Sequence, residues 1–330
     1  MSKATVIITD FRKEPLNLER EILGDLAEVE ALQARSEETL LKGTKHADAL
    51  LVYHFVEITA RVIEQLESCR IIVRCGVGHD NVDSAAAKSC GIPVANVPDY
   101  GTEEVADSAL GMILSLTRGI NRMQARAREG HRPWSHELGS PLYRLRGRVL
   151  GIVGLGRIGS ALACRAKSLG LEVVFYDPYL PDGMEKALGV MRVESLEELL
   201  AGADILSLHC PGTRETENLI DESAIRLLPD GAYLVNTARG SIVHSGAVLK
   251  ALEEGKLAGA ALDVLPEEPP STEDPLLQAW QNHDHPAHDR LLLNPHGAWY
   301  CEEGMKEAQT KACRNVRRVL LGESPRNVIN

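Results

Sequence analysis

The sequence predicts an α/β protein built on two doubly wound parallel sheets, and three observations predict it. Strand-like and helix-like segments alternate along nearly the whole chain. Two apolar strand patterns run into glycine turns, over 70–78 and 149–159, and open parallel sheets place their ligands at such carboxyl ends. With 330 residues, 44% of them hydrophobic, the chain is long enough for two compact cores.

Taken in order, the apolar pattern predicts strands over 5–9, 49–53 and 70–75, with helices over 17–26 and 60–67. A Pro/Gly break at 96–101 precedes a long helical pattern from Thr102 to about Arg128, with Glu103 and Glu104 in its first turn. This segment is expected to cross between domains. Its apolar face, with Ala106, Ala109, Ile113 and Leu116, has no obvious partner in its own sheet and reads as structural or subunit-facing. A second series of strands follows, over 149–153, 173–176, 205–209, 233–236, 260–264 and 291–294, with helices over 160–169, 195–200, 223–228 and 245–254. A last helix over 302–321 has no sheet of its own and is expected to return to the first domain. That domain is therefore read as discontinuous, 1–100 and 299–330, around a second domain of 101–298.

The stretch from Val149 to Gly159 carries the first chemistry. A buried strand meets Gly154-Leu155-Gly156-Arg157-Ile158-Gly159, and a helix follows. Gly154 permits the tight turn, Gly156 lets the backbone approach phosphates, and Gly159 lets the helix pack closely on the strand. Free N–H groups at the helix start then face negative charge. A second strand ends in Asp177, about 20 residues past the glycines, where a carboxylate accepts hydrogen bonds from ribose hydroxyls and repels a 2′-phosphate. The expected cofactor is NAD.

Composition excludes several other classes. The net charge of −11 and a pI near 5.5 argue against nucleic acid or anionic lipid as partner. No apolar run approaches the ~20 residues that span a bilayer, and the first ten residues read as a strand rather than a signal peptide. Seven scattered cysteines, without a CxxC pair, read as reduced thiols in a cytoplasmic protein.

Three further stretches each follow a strand of the second domain: Asn236-Thr237-Ala238-Arg239-Gly240, Leu262 to Pro269, and Asn294 to Trp299. All can converge on the nicotinamide end of a dinucleotide. Hydride transfer at a carbon bearing a hydroxyl needs a group that exchanges the hydroxyl proton, which suits His296. Glu268 can hold that imidazole and favour its protonated form, and Arg239 can bind a substrate carboxylate and polarise a carbonyl oxygen. Each has an ordinary alternative: a satisfied histidine, a salt-bridging arginine, a solvated loop acid.

These motifs resemble the D-isomer-specific 2-hydroxyacid dehydrogenase family over nearly the whole chain, and within it most resemble the carboxyl-terminal-binding corepressors. The resemblance implies a Rossmann NAD-binding domain inserted in a flavodoxin-like substrate domain. It implies a catalytic trio of Arg239, Glu268 and His296. Substrate would be held by Arg74, the Gly76-Val77-Gly78 backbone, Arg239 and Trp299. Cofactor contacts would come from Val77, Thr102 facing the pyrophosphate, the 154–159 loop, Asp177 at the ribose, and Cys210, Pro211 and Thr216 on the adenine side. Thr237, Ala238, Arg239, Asp263 and His296 would approach the nicotinamide, and Asp263 its carboxamide. It also implies a homodimer formed mainly by the nucleotide domains. Two functions stay open: a reductase of 2-oxo acids, and an NAD(H)-sensing binding protein or corepressor.

The sequence departs from the family pattern between Pro270 and Leu291, where His283, His285 and His288 lengthen a connection. Their spacing matches no standard metal site. The expectation there is a flexible loop and no metal.

Overall fold

The computed structural model describes residues 3–330. They form two compact units, residues 3–101 with Tyr300–Asn330, and Thr102–Trp299.

The first unit opens with β1 (Ala4–Ile8), α1 (Asn17–Leu23), β2 (Ala27–Ala31) and α2 (Glu37–Gly43). It continues with β3 (Ala49–Val52), α3 (Ala60–Glu64), β4 (Ile71–Arg74), α4 (Ser84–Ser89) and β5 (Val94–Asn96). The five strands are parallel in the order β2-β1-β3-β4-β5, the flavodoxin-like arrangement. Every residue of β3 is buried, as a strand covered by helices on both faces requires.

In the second unit come α5 (Thr102–Thr117), α6 (Ile120–Arg128), β6 (Val149–Val153), α7 (Arg157–Ser168) and β7 (Glu172–Tyr176). Then follow α8 (Met184–Leu188), β8 (Met191–Arg192), α9 (Leu196–Gly202), β9 (Ile205–Leu208), α10 (Glu222–Leu227) and β10 (Ala232–Asn236). The unit closes with α11 (Ser245–Glu253), β11 (Leu257–Leu262), α12 (Pro275–Gln281) and β12 (Leu291–Leu293). Seven parallel strands lie in the order β12-β11-β10-β9-β6-β7-β8. Counted from β6, this is the doubly wound dinucleotide order with one added strand. The strand order reverses between β6 and β9, and ligands of such sheets bind beyond the carboxyl ends at that point. The last helix, α13 (Glu302–Leu320), belongs to the first unit, where it packs on α1 and Arg317 pairs with Asp25 at 2.5 Å.

The structure corrects the sequence reading in four places. The long helix is broken: Gly119, at φ +60°, separates α5 from α6, a conformation that only glycine adopts cheaply. The apolar face of α5 is not left for a partner. Ala106, Ala109, Ile113 and Leu116 are buried in the core of the second unit against α7, β10 and β11, and the helix does not cross between units. Ahead of the histidine stretch the connection holds an unexpected helix, α12, capped by Asp274, whose carboxylate accepts from Leu276 N and Leu277 N, with Pro275 at the first helical position. Finally, α7 starts at Arg157 rather than Ser160, and β2, β5, β8, α2, α4 and α8 join the expected elements.

Candidate active site

The glycine loop follows β6. Gly154 has φ +87°, and a Cβ there would fall 2.8 Å from Cys210 N, so this glycine lets the β6 turn lie against the chain leaving β9. A Cβ on Gly159 would fall 2.2 Å from Gly154 O, which confines the helix start to glycine. At Gly156 a Cβ would meet open space. The N-terminus of α7 carries no side-chain cap, so its first N–H groups are left to an anion. Asp177, just past β7, accepts from Leu155 N through Oδ2 and from Tyr179 N through Oδ1, both at 3.0 Å. Its carboxylate is thereby held beside the glycine loop. Thr216 Oγ1 donates to Pro211 O at 2.7 Å and accepts from Thr213 N at 2.9 Å, closing the turn after Cys210. Burial pushes the Cys210 thiol up to about 11, so it is a neutral wall. Thr102 opens α5, half-buried.

Beyond β10, Asn236 shapes the next loop. Its amide donates to Arg239 O at 2.8 Å and accepts from Ala238 N at 3.0 Å. Sequence reasoning passed over this side chain, although an asparagine at a strand's end with polar residues after it is the signal of such a turn. Arg239 follows, its Nη1 donating to Ala238 O at 2.7 Å. The hydroxyl of Thr237 is buried with no hydrogen-bond partner within the protein, and such a group calls for a ligand atom. A Cβ on Gly240 would fall 1.9 Å from Leu265 C, so this loop packs directly on the one after β11.

That next loop holds Asp263 and Glu268. Asp263 is 1% exposed. Burial pushes its carboxyl up, while N–H groups of Ala298 and Gly297 donate to it and oppose the rise. These bonds, at 2.9 to 3.1 Å, together with His296 N donating to Asp263 O at 2.7 Å, hang the chain after β12 from β11. They hold His296 at φ +51°, a left-handed backbone that costs a non-glycine residue energy and persists where surroundings over-determine it. The imidazole Nδ1 lies 2.6 Å from Glu268 Oε2, and Glu268 Oε1 accepts from Leu265 N at 2.9 Å. Burial pushes the Glu268 carboxyl up, but the hydrogen bond and charge of His296 outweigh it and leave it below its ordinary value. The pair is solvent-accessible, with side chains 39% and 35% exposed. Trp299, half-buried, donates Nε1 to His296 O at 2.9 Å.

The structure thus brings His296, Glu268 and Asp263 together on the loops after β11 and β12, beside the loop after β10 that carries Arg239 and Thr237, all at the carboxyl edge of the seven-stranded sheet. The glycine loop and Asp177 lie at the same edge. The open space over Gly156, the uncapped helix and the orphaned Thr237 hydroxyl fit these residues to a dinucleotide. Arg74, Gly76, Val77 and Gly78 lie in the first unit, at the end of β4. There a Cβ on Gly76 would fall 1.7 Å from Arg74 Nη1, so glycine makes room for the guanidinium to fold back over the turn. Asn96 Nδ2 donates to Val77 O at 2.7 Å and fixes the same turn from β5.

Residues 110–298 match the family model described as the NAD-binding domain of D-isomer-specific 2-hydroxyacid dehydrogenases. The D-3-phosphoglycerate dehydrogenase of Methanocaldococcus jannaschii is 37% identical over 326 residues, 98% of this chain and 59% of that protein. The chain therefore spans only about three-fifths of that relative's length. The glyoxylate reductase of Korarchaeum cryptofilum is also 37% identical, over 298 residues, 89% of this chain and 86% of that protein. A D-lactate dehydrogenase of Aquifex aeolicus, solved with NAD and lactic acid, shares the fold at TM-score 0.85 and 28% identity over 96% of each chain. These relatives are dehydrogenases and a reductase rather than carboxyl-terminal-binding corepressors, which corrects the subgroup expected from the sequence.

Proposed function

The chain belongs to the D-isomer-specific 2-hydroxyacid dehydrogenase family, and we propose that it interconverts a 2-oxo acid and a D-2-hydroxy acid with NAD(H). The observation that carries this reading is the 2.6 Å pair of His296 and Glu268 at the sheet edge that also bears the glycine loop. When bound, the dinucleotide supplies or accepts the hydride. His296 gives a proton to the carbonyl oxygen in reduction and takes one from the hydroxyl in oxidation. Glu268 holds the ring through Nδ1, which leaves Nε2 for the substrate. Arg239 binds the substrate carboxylate and polarises the carbonyl oxygen, and Trp299 supplies an apolar wall. Asp177 selects NAD over NADP. The second unit is the cofactor domain in this reading, and the first is the substrate domain.

Replacing His296 by Ala is expected to abolish NADH-dependent reduction of a panel of 2-oxo acids while leaving NADH binding, read by fluorescence, nearly intact. Glu268→Gln is expected to lower the reduction rate while leaving NADH binding nearly intact, because the imidazole loses the carboxylate that holds it through Nδ1. An active His296→Ala protein would sink the mechanism.

We further propose a homodimer formed through the second unit. The buried face of α5 no longer supports it. The exposed apolar side chains of Ile120, Trp134 and Tyr143 do, the second of them 74% exposed. Light scattering at micromolar concentration is expected to give the mass of two chains, and a single-chain mass refutes the assignment. With no helix among the described residues long and apolar enough to cross a membrane, and with its cysteines free, the protein is proposed to work in the cytoplasm.

A further inference from the structure

The histidines that lengthen the connection before β12 do not act alike. His285 turns toward α11, with Nε2 3.2 Å from Glu253 Oε1, and its Nδ1 accepts from Ala287 N at 3.2 Å. His283 and His288 turn the other way, toward Glu129 at the end of α6. One ligand atom from each of Glu129, His283 and His288 lies within 4.8 Å of the other two. The two rings stand with centroids 4.4 Å apart.

We propose that Glu129, His283 and His288 form a binding site for a first-row divalent cation of the zinc type. Two imidazoles and a carboxylate are the donor set of that class of ion, and it leaves a fourth position for water. One of its ligand distances already suits it. Ligand atoms about 2.05 Å from a tetrahedral zinc lie about 3.3 Å apart, and His283 Nδ1 sits 3.4 Å from Glu129 Oε1.

The surroundings prepare the ligands. His288 Nδ1 lies 2.6 Å from Trp280 O. A carbonyl oxygen only accepts, so Nδ1 carries the hydrogen and Nε2 is the ligating atom, the arrangement that orients metal-bound histidines. On the other side, His131 Nε2 lies 3.4 Å from Glu129 Oε2, which leaves Oε1 facing His283. The two segments are already tied together, because Arg126 Nε donates to Asp289 Oδ2 at 2.7 Å. The site is chemically separate from His296 and is not needed for proton or hydride transfer. A bound ion would pin the end of α6 to the connection before β12.

The test uses the tag-free full chain, stripped with a chelator and titrated with ZnCl2 against a chromophoric competitor. One equivalent per chain is expected, with a Kd at or below the micromolar range, and Mg2+ is expected not to compete. His283→Ala and His288→Ala should each weaken binding at least tenfold, and Glu129→Gln should weaken it as well. His285→Ala, outside the trio, should leave it unchanged. His283 is an exposed side chain, so its variant folds even where His288→Ala loses the Trp280 bond. Zinc should raise the melting temperature of the wild type but not of His283→Ala, and NADH-dependent turnover should be equal in the two. Binding of several ions, equal loss in His285→Ala, or unchanged binding in His283→Ala would each overturn the site.

Discussion

The two glycines at the start of α7 allow a clean separation of cofactor binding from folding. A Cβ on Gly159 would lie 2.2 Å from Gly154 O and 3.3 Å from Ile152 Cγ2. Neither backbone nor strand can yield cheaply, so Gly159→Ala is an overpacking change of about 2 kcal/mol. For a unit of this size that lowers the melting temperature by about 4–8 °C. A Cβ on Gly156 meets nothing within 4 Å, and its φ of −70° is one that any residue adopts. Gly156→Ala should therefore melt like the wild type. The same methyl group stands where a pyrophosphate must approach the backbone. Losing one charge-assisted hydrogen bond to it costs about 1.5–3 kcal/mol, which weakens NADH binding about 10- to 100-fold. Fluorescence titration with NADH, beside melting curves for both variants, measures the two effects on the same samples. If Gly156→Ala binds NADH as tightly as the wild type, the loop does not hold the cofactor by close approach, and the argument fails. If Gly159→Ala melts unchanged, the packing reading of that glycine is wrong instead.

Two further outcomes follow from single side chains. Asp177→Ala is expected to relax the preference for NADH over NADPH by on the order of a few kcal/mol in kcat/KM; a wild type that uses both cofactors equally removes the basis for the assignment. His209 is bonded through Nε2 to Ser207 Oγ at 2.8 Å, while Nδ1 is enclosed without a partner, and burial pushes its pKa down to about 4. The unfolded chain takes up that proton near pH 6.5, so the stability tied to a neutral His209 is whole above that pH and is lost as pH falls toward 4. Between pH 7.5 and 5 this amounts to about 2 kcal/mol. Urea unfolding at both pH values should show that loss in the wild type and a smaller one in His209→Gln, and identical losses would exclude His209 as the cause.

What the sequence made legible was whatever local sterics dictate. The glycines of the 154–159 loop and the acid ending β7 occupy positions that follow from turn geometry and strand length, so their places were readable without a partner in view. The strands of the second sheet are long apolar runs and announce themselves. By contrast, β2 alternates glutamate with small apolar residues, and β8 has only Met191 and Arg192, too little to rise above a loop pattern. The break at Gly119 was hidden because a single glycine inside a periodic stretch is compatible with an unbroken helix. The burial of the α5 face depended on which helix and strands it meets, and periodicity does not tell a core from a subunit interface. The same holds for the histidines before β12. Their spacing is uninformative, and only the path of the chain separates His285 from its two neighbours. At the sheet edge, the residue types of Arg239, Glu268 and His296 were readable. The suspension of His296 from Asp263 was not, because it is made by backbone groups that no side-chain pattern records.

That suspension gives the chain a place to be redesigned. His296, Gly297 and Ala298 are held through their own main-chain N–H groups, so the histidine's station is indifferent to which side chains its neighbours carry. A Cβ on Gly297 meets no atom within 4 Å. New bulk introduced there leaves the anchoring bonds in place, and successive substitutions at this one position offer a graded means of reshaping the surroundings of the histidine while its backbone support stays constant.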